Sequence, residues 1–126
     1  MKSLYLTVFT SLLVFSGMSQ AVELQPYNEA SVMQAQQQGK PHAIHFHADW
    51  CPTCRAQEKV FQSLKDDKEI DFPIYVANYD KEKDLKRKLN VRTQSTLVIY
   101  RGAEERGRLA GETDAAKIRT ALKKAN

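Results

Sequence analysis

Two cysteines three positions apart constrain this chain more than any other feature. Cys51 and Cys54 are the only cysteines among 126 residues, and they follow an apolar, strand-like stretch. Pro52 between them favours the start of a helix, because proline fits the first helical turn without the loss of a hydrogen bond. A sulfur there lies near unpaired backbone N–H groups and the positive end of the helix dipole, which lower the pKa of its thiol. The second sulfur lies one turn further along the helix, within reach of the first.

This spacing predicts a redox-active pair that exchanges electrons with one external disulfide and needs neither a third cysteine nor a cofactor. A structural disulfide is the alternative for Cys51 and Cys54. Such a bridge would close a very short loop, and the entropic gain from a disulfide grows with the length of its loop. We therefore favour the redox interpretation.

Residues 1–21 differ in character from the rest of the chain. One positive charge at Lys2 precedes an apolar run, residues 4–15, and then small residues that end at Ala21. This is the pattern of a secretory signal peptide, and we expect cleavage after Ala21. An uncleaved membrane anchor is the alternative, but the apolar run is short for a span of roughly 20 residues. Export would place the cysteine pair in an oxidising compartment, which we expect to be the periplasm.

Residues 22–126 are expected to form a single domain with one small core. Apolar residues make up 42% of the chain and charged residues 27%, as in ordinary soluble globular proteins. Removal of Lys2 with the signal peptide would lower the formal charge from +4 to +3. That weak excess of positive charge gives no indication of nucleic-acid binding. We also expect the protein to be a monomer.

Apolar periodicity and capping residues predict alternating strands and helices. Asn28 is expected to cap the first helix and Gly39 to end it, while His42 is expected at the surface. The predicted strands are residues 23–27, 42–48, 72–78, 96–100 and 106–110, and the predicted helices are residues 28–38, 52–65, 81–89 and 113–124. This order predicts an α/β fold with a mixed sheet of four to five strands and helices on both faces.

The order of elements and three sequence segments resemble the thioredoxin family. The segments are Gly39-Lys40-Pro41 leading to Phe46-His47-Ala48-Asp49-Trp50-Cys51-Pro52-Thr53-Cys54-Arg55, then Leu89-Asn90-Val91-Arg92 leading to Thr96-Leu97-Val98-Ile99-Tyr100, and finally the Arg101-Gly102 turn with Leu109-Ala110-Gly111. The chain is similar to exported thioredoxins and to the soluble C-terminal domain of DsbD-type transmembrane thiol reductases. The resemblance extends from about residue 27 to residue 125 and implies a thioredoxin fold.

The resemblance also implies a mechanism. Cys51 would attack a partner disulfide as a thiolate and form a mixed disulfide, and Cys54 would then attack Cys51 and release the reduced partner. Trp50 would form a flat apolar surface beside the cysteines, or would simply be a packing aromatic. Pro52 and Thr53 would contribute to the surface that contacts the partner. Arg55 matches the basic residue that usually follows the second cysteine; it would favour the thiolate or be a solvated side chain.

One departure from the family concerns the loop that faces the cysteines. Thioredoxins carry a cis-proline there, and Ser95 aligns with it in Thr93-Gln94-Ser95-Thr96. A cis bond before a residue other than proline costs about 2.5–4 kcal/mol, so we expect a trans peptide between Gln94 and Ser95. Gln94 would inherit the backbone pairing with the substrate strand. The Ser95 hydroxyl is expected to contact a cysteine sulfur, or to be an ordinary polar loop group.

A second departure is His45, which aligns with the buried aspartate that helps to deprotonate the second cysteine in thioredoxin. A neutral imidazole at His45 could act as the base for Cys54. A core histidine with satisfied hydrogen bonds is the alternative. His47 lies on the same face of the predicted strand and nearer to the cysteines.

Four functions remain open at this point. We favour an exported thiol–disulfide oxidoreductase that reduces protein disulfides and receives electrons from a membrane-embedded thiol donor, because Thr53 replaces the histidine often found between the cysteines of disulfide oxidants. A periplasmic oxidant or isomerase is the first alternative. A module that binds copper or zinc through Cys51, Cys54 and His45 or His47 is the second. The third is a non-catalytic interaction module that holds partners with the loop at residues 93–96.

Overall fold

The computed structural model describes residues 22–126, which form a five-stranded mixed sheet with helices on both faces. The strands are β1 (Glu23–Pro26), β2 (Pro41–His47), β3 (Pro73–Asn78), β4 (Thr96–Arg101) and β5 (Glu104–Ala110). Their order across the sheet is β1-β3-β2-β4-β5. Strands β1, β3 and β2 run parallel to one another, whereas β4 is antiparallel to β2 and β5 is antiparallel to β4. The predicted α/β fold is therefore confirmed, with the upper number of strands.

Four α-helices connect the strands: α1 (Glu29–Gln37), α2 (Pro52–Ser63), α3 (Lys83–Lys88) and α4 (Ala115–Leu122), which continues into a 3-10 turn at Lys123–Ala125. Asn28 caps α1 by accepting a hydrogen bond from the Ser31 N–H, as predicted. Asp114 caps α4 in the same way through the Lys117 N–H. Gly39 follows α1 with a φ of +66°, a left-handed conformation that glycine adopts without a steric penalty. The predicted boundaries agree with the structure to within two residues, and β5 begins two residues earlier than expected, at Glu104.

One face of the sheet packs against α2 and α4. Ala43, Leu97 and Ile99 of the sheet contact Phe61 of α2 and Ile118 of α4 in one apolar cluster. The apolar residues Ala56, Val60, Phe61 and Leu64 predict the buried side of α2, and this prediction is only partly correct. The helix buries residues at regular three- and four-residue intervals, namely Cys54, Gln57, Phe61 and the C-cap Leu64, while Ala56 and Val60 are half-buried.

The other face packs against α1 and α3, and it contains a histidine that the sequence analysis places at the surface. That prediction for His42 is wrong, because the residue has no exposed surface. Its ring stacks on Tyr100 with centroids 5.2 Å apart and meets the edge of Tyr75. Strand alternation explains this position: His42 shares its face with Ile44 and Phe46, which are core residues.

The predicted signal peptide, residues 1–21, lies outside the described residues. Within residues 22–126, every helix is too short or too polar to cross a membrane.

One junction between a strand and a helix lies at the centre of the sheet, where β2 ends at His47 and α2 begins at Pro52. This is the junction that carries both cysteines.

Phe61 provides a test of this core. It is fully buried between the sheet and α2, so we expect Phe61→Ala to lower the free energy of unfolding by about 3–5 kcal/mol. Urea denaturation of the reduced protein measures the effect. The neighbouring Gln62 is exposed, and Gln62→Ala should change stability by no more than about 0.5 kcal/mol. Equal effects of the two substitutions would contradict the assigned packing.

Candidate redox site

Cys51 occupies the N-cap of α2, so its side chain lies where the first backbone N–H groups of the helix lack an acceptor within the helix. Its sulfur accepts a hydrogen bond from the Cys54 N–H at 3.4 Å, and its own N–H donates to the Ala48 carbonyl at 3.0 Å. Pro52 follows in the first turn, where its missing N–H is of no consequence. The residue is 3% exposed, so little of its surface reaches solvent in the reduced protein.

Cys54 lies one turn further along α2 and is completely buried. Both thiols are free, so the structure corresponds to the reduced protein. The Cys54 sulfur is 3.8 Å from the Phe46 carbonyl, to which its S–H can donate a weak hydrogen bond. The two cysteines therefore differ in surroundings: Cys51 faces a donor at the helix terminus, and Cys54 faces an acceptor in the core.

Ser95 places its hydroxyl between the two sulfurs. The Oγ atom is 3.0 Å from the Cys54 sulfur and 3.3 Å from the Cys51 sulfur. The peptide between Gln94 and Ser95 is trans, as predicted, since no cis peptide occurs in residues 22–126. The expected contact with a cysteine sulfur is confirmed, and it involves both sulfurs.

The backbone of Ser95 adopts a left-handed conformation to reach this position. Its φ is +61°, a conformation that costs a non-glycine residue about 1–2 kcal/mol. Three hydrogen bonds hold it there: Ser95 N–H donates to the Phe46 carbonyl, while the Ser95 carbonyl accepts from the Gly111 N–H and from the Gln57 side chain. The residue is 3% exposed, so water has little access to its hydroxyl.

These contacts separate the acidities of the two thiols. Burial opposes ionisation of Cys51, but hydrogen bonds from Ser95 and the Cys54 N–H outweigh it and lower the pKa of the thiol to about 7. Burial raises the pKa of Cys54, and the hydrogen bond with Ser95 opposes this only in part. Near neutral pH, Cys51 is therefore the more nucleophilic sulfur and Cys54 retains its proton.

His45 is buried behind the cysteines, and its hydrogen bond goes to Gln57. The Gln57 amide nitrogen donates to the carbonyls of Ser95 and Glu112, at 3.0 and 2.9 Å. Its Oε1 must therefore accept the bond from His45 Nε2, at 2.8 Å, which assigns the ring proton to that nitrogen. Burial lowers the pKa of His45 to about 4, so the ring is neutral at pH 7. Within residues 22–126, the Cys54 sulfur forms its hydrogen bonds with Phe46 and Ser95 and not with His45.

Gln57 is a site residue that the sequence analysis missed. Its side chain is buried and links His45 on β2 to the Ser95 loop and to the Glu112 backbone. The sequence pattern that indicates its burial is the spacing of Cys54, Gln57 and Phe61, which lie on one helix face at intervals of three and four residues. Buried glutamine is uncommon, so polarity alone assigns it to the surface.

The outer part of the site is apolar and exposed. Trp50 is 59% exposed, and its indole N–H donates to Asp80 at 2.9 Å, which fixes the ring beside the cysteines. Tyr79 packs against the cluster that contains both sulfurs. Arg55 donates to the Asp49 carbonyl at 2.7 Å, so the recorded contact of its guanidinium is with that loop.

The remaining predicted contact residues line the same surface. Pro52 is exposed, Thr53 is half-buried, and both lie in the first turn of α2. Gln94 is half-buried and makes no backbone hydrogen bond within residues 22–126. A polypeptide laid beside Ser95 would therefore find the Gln94 backbone available for pairing.

Residues 22–126 contain no preassembled metal site of the kind that the metal-binding hypothesis requires. Within residues 22–126, no three His, Cys, Asp or Glu side chains come together as potential ligands. His45 is engaged with Gln57, and His47 contacts Asp49 at 3.0 Å. The structure thus brings together Cys51, Cys54 and Ser95, but it does not add a histidine to the sulfurs.

The fold and the site define a two-cysteine redox protein built on the thioredoxin fold. A sequence model of the thioredoxin family matches residues 22–124. The chain therefore belongs to the thioredoxin family, whose members are thiol–disulfide oxidoreductases.

Solved structures and curated relatives agree with this assignment. The structure of Trxlp from Edwardsiella tarda EIB202 is 34% identical, with a TM-score of 0.75 over 79% of this chain and 98% of that chain. Oxidised thioredoxin O1 from Arabidopsis thaliana is 26% identical, with a TM-score of 0.64 over 82% of this chain and 96% of that one. Thioredoxin from Borreliella burgdorferi is 29% identical over 60 residues, which are 48% of this chain and 51% of the relative. Against its curated relatives the chain spans about half of their length or less.

The buried neutral His45 predicts a loss of stability in acid. The unfolded chain takes up a proton near pH 6.5, whereas the folded protein resists protonation until about pH 4, so stability falls as the pH drops between these values. At pH 4.5 this difference amounts to roughly 2–3 kcal/mol. Glutamine cannot titrate at this position. Between pH 7 and 4.5 we therefore expect the free energy of unfolding of His45→Gln to fall by roughly 2–3 kcal/mol less than that of the unchanged protein.

Urea denaturation at the two pH values measures this difference. Carboxylates that are paired in the folded state, such as Asp67 and Glu69, also weaken in acid, but they do so equally in both proteins. The burial of His42 lowers its pKa and acts in the same direction in both. Identical pH dependence of the two proteins would show that His45 is not the group responsible.

Proposed function

We propose that this protein is an exported thiol–disulfide oxidoreductase that reduces disulfides in other proteins. The observation that carries the proposal is the asymmetric pair at the start of α2, with Cys51 acidic at the helix N-cap and Cys54 fully buried and protonated. Such a pair performs disulfide exchange in two steps, because one sulfur attacks the partner and the other resolves the intermediate. Family membership supports the same activity.

In the proposed cycle, the Cys51 thiolate attacks one sulfur of the partner disulfide and displaces the other as a thiolate. A mixed disulfide between Cys51 and the partner results. Cys54 then attacks the Cys51 sulfur, the intermolecular bond breaks, and the partner leaves fully reduced while Cys51 and Cys54 form a disulfide. Two electrons pass to the partner, and a dithiol donor must return them to this protein.

The surface around Cys51 suits a polypeptide partner. We assign Trp50, Pro52 and Thr53 to the apolar contact with the partner, because they surround the N-terminus of α2 and Trp50 is strongly exposed. The unpaired backbone of Gln94 would hydrogen-bond an extended strand of the partner, with Ser95 beside the sulfurs. Family resemblance supports both assignments.

The reducing direction has a physical basis in the acidity of Cys51. A pKa of about 7 equals the value of about 7 typical of thioredoxin and lies far above the value of about 3.5 in a strongly oxidising protein of this class. A less stabilised thiolate makes the reduced form a better electron donor. The residue between the cysteines, Thr53, brings no positive charge that would stabilise the thiolate further.

The proposed cellular setting rests on the sequence of residues 1–21. Its charged start, apolar centre and small residues before Val22 support export to the periplasm, where a membrane-embedded thiol protein would supply electrons to a monomeric domain. Mass measurement of the mature protein from a periplasmic fraction tests this part. A chain that begins at Val22 would support export, and an intact chain retained in the cytoplasm would contradict it.

Turnover of a protein disulfide tests the activity. We expect the protein to accelerate reduction of insulin by dithiothreitol, and Cys51→Ser to lose this activity completely because the attacking sulfur is gone. Cys54→Ser should form a mixed disulfide with the substrate that persists, since the resolving sulfur is absent. Non-reducing electrophoresis and mass spectrometry detect the trapped adduct.

The matched control is Thr120→Ala, an exposed hydroxyl on α4 that lies outside the site. This variant should reduce insulin at the unchanged rate. Unimpaired turnover by Cys51→Ser, or a protein that only oxidises reduced substrates, would refute the proposed reductase.

A further inference from the structure

The redox cycle requires proton movement between two sulfurs that are sheltered from water. Cys51 reacts as a thiolate, whereas Cys54 holds its proton until it attacks in the second step. The sulfurs are 3% and 0% exposed, so bulk water cannot readily collect the Cys54 proton. Ser95 Oγ is the one hydroxyl group that contacts both sulfurs among residues 22–126, at 3.3 and 3.0 Å.

The surroundings of each sulfur assign a direction to these two contacts. A serine hydroxyl donates one hydrogen bond and accepts others. The Cys51 sulfur already accepts from the Cys54 N–H, as suits a thiolate, and the Cys54 sulfur faces the Phe46 carbonyl, as suits a thiol. The Cys54 S–H therefore donates to Ser95 Oγ, and the Ser95 O–H donates to the Cys51 sulfur.

Ser95 is held rigidly enough to keep both contacts. Its N–H and carbonyl are fixed by Phe46, Gly111 and Gln57, and its backbone stays at a φ of +61° against a steric penalty. Conformations of this kind persist only where surrounding contacts impose them, and they are frequent at functional sites. The hydroxyl therefore remains between the sulfurs without reorganisation.

We propose that Ser95 is a catalytic residue that relays the Cys54 proton during resolution of the mixed disulfide. This inference rests on the proposed function and adds a role for the hydroxyl beyond contact with the partner. As Cys54 attacks the Cys51 sulfur, its proton passes to Ser95 Oγ, and the Ser95 proton passes to the leaving sulfur of the partner. The products are the Cys51–Cys54 disulfide, a neutral Ser95 hydroxyl and a protonated partner thiol.

His45 is less suited to this step than Ser95. Its protonated nitrogen, Nε2, is committed to Gln57, and burial lowers the pKa of the ring to about 4, which makes it a weak base. Through Gln57, which also binds the Ser95 carbonyl, His45 acts as a positioning residue for the loop. The predicted role of His45 as the direct base for Cys54 is replaced in this proposal by the relay.

Rapid-mixing kinetics with two small disulfides test the relay. Glutathione disulfide releases an alkyl thiolate that needs a proton, whereas dithiodipyridine releases an aromatic thiolate that leaves without one. We expect Ser95→Ala to slow resolution of the glutathione mixed disulfide by about 10²-fold, within the usual range for general acid–base catalysis. The slowing with dithiodipyridine should be at least about tenfold smaller.

Ser95→Gly is the matched control. Glycine removes the hydroxyl but accepts the positive φ, so it should behave like Ser95→Ala in kinetics while it relieves the backbone strain. Equal slowing of both disulfides by Ser95→Ala would indicate a merely structural residue, and unchanged resolution in Ser95→Ala and Ser95→Gly would also overturn the relay. If the unchanged protein forms no mixed disulfide at Cys51, the proposed function itself fails.

A separate observation concerns the charge beside the site. Residues 81–92 hold six basic and two acidic residues, a net charge of +4, which exceeds the total of +3 for residues 22–126. The rest of the domain is therefore slightly acidic. We call this segment the basic face; its positive residues are Lys81, Lys83, Lys86, Arg87, Lys88 and Arg92.

The basic face adjoins the cysteine cluster through Tyr79. Tyr79, which packs on the cysteine cluster, donates its hydroxyl to the Arg92 carbonyl and carries the Lys86 ammonium over its ring at 3.7 Å. A groove of about 480 Å³ beside the loop at residues 93–96 is lined by Arg92, Thr93 and Thr96, and also by Arg108 and Glu105 of β5. A partner strand paired with the neighbouring Gln94 would continue into this groove.

We infer that the basic face selects protein partners whose target disulfide is flanked by acidic residues. Opposite charges accelerate encounter and fix orientation at an interface, and the benefit declines as salt screens them. This inference also rests on the proposed function. The expected partner is a polypeptide, because Thr93 and Thr96, which line the groove, flank the Gln94–Ser95 loop beside the sulfurs.

Reduction of two disulfide peptides that differ only in flanking Glu or Lys residues tests this selection. We expect kcat/KM to be about tenfold higher for the acidic peptide at low salt, and the preference to fade at high salt. Lys83→Glu with Arg92→Glu should abolish it, whereas Lys59→Glu with Lys65→Glu, an equal change of charge within α2 and just after it, should not. Equal rates for both peptides would overturn the selection, as would a preference unaffected by the first pair of substitutions. If neither peptide is reduced, the proposed function fails instead.

Discussion

The hydroxyl of Ser95 between two sulfurs is the contact on which the site depends. It is present because β2, α2 and the start of β4 meet at one point, and because three backbone contacts keep Ser95 at a positive φ. Without the sheet order that places β4 beside β2, the loop would not face the cysteines. The fold therefore adds the Ser95 contact to the local hydrogen bonds at the N-terminus of α2, and together they separate the acidities of Cys51 and Cys54.

The second layer of the site consists of buried polar groups that satisfy one another. The Gln57 side chain accepts a hydrogen bond from His45 and donates hydrogen bonds to the carbonyls of Ser95 and Glu112. A buried network of this kind is favourable only when its members are paired, and it then fixes one geometry. Where the family carries a charged aspartate, this protein thus has a neutral histidine, and its proton chemistry shifts toward Ser95.

Much of the fold could be predicted from the sequence because its signals are local. Asn28 caps α1, Gly39 ends it, and apolar alternation marks the central strands. The cysteine pair and its place at a strand-to-helix junction were equally predictable. The burial of His42 was not, because a strand covered on both faces buries polar positions that its composition assigns to solvent.

The finer geometry of the site depends on contacts between distant segments. Ser95 lies more than forty positions from the cysteines in the sequence, and its positive φ follows from hydrogen bonds with β2 and Gly111 rather than from its own preferences. Gln57 had a signal in its helical spacing, but its partners on β2 and after β5 are visible only in three dimensions. Residue type and alignment thus indicated which residues to consider, while tertiary contacts determined what they can do.

The most direct test of the reductase account is the equilibrium redox potential of the Cys51–Cys54 pair, titrated against dithiothreitol and glutathione. Hydrogen bonds that lower the pKa of Cys51 only to about 7 predict a potential in the thioredoxin range, near about −270 mV. A value near about −120 mV would contradict the account, because it would require a strongly stabilised thiolate and would make the protein a disulfide oxidant.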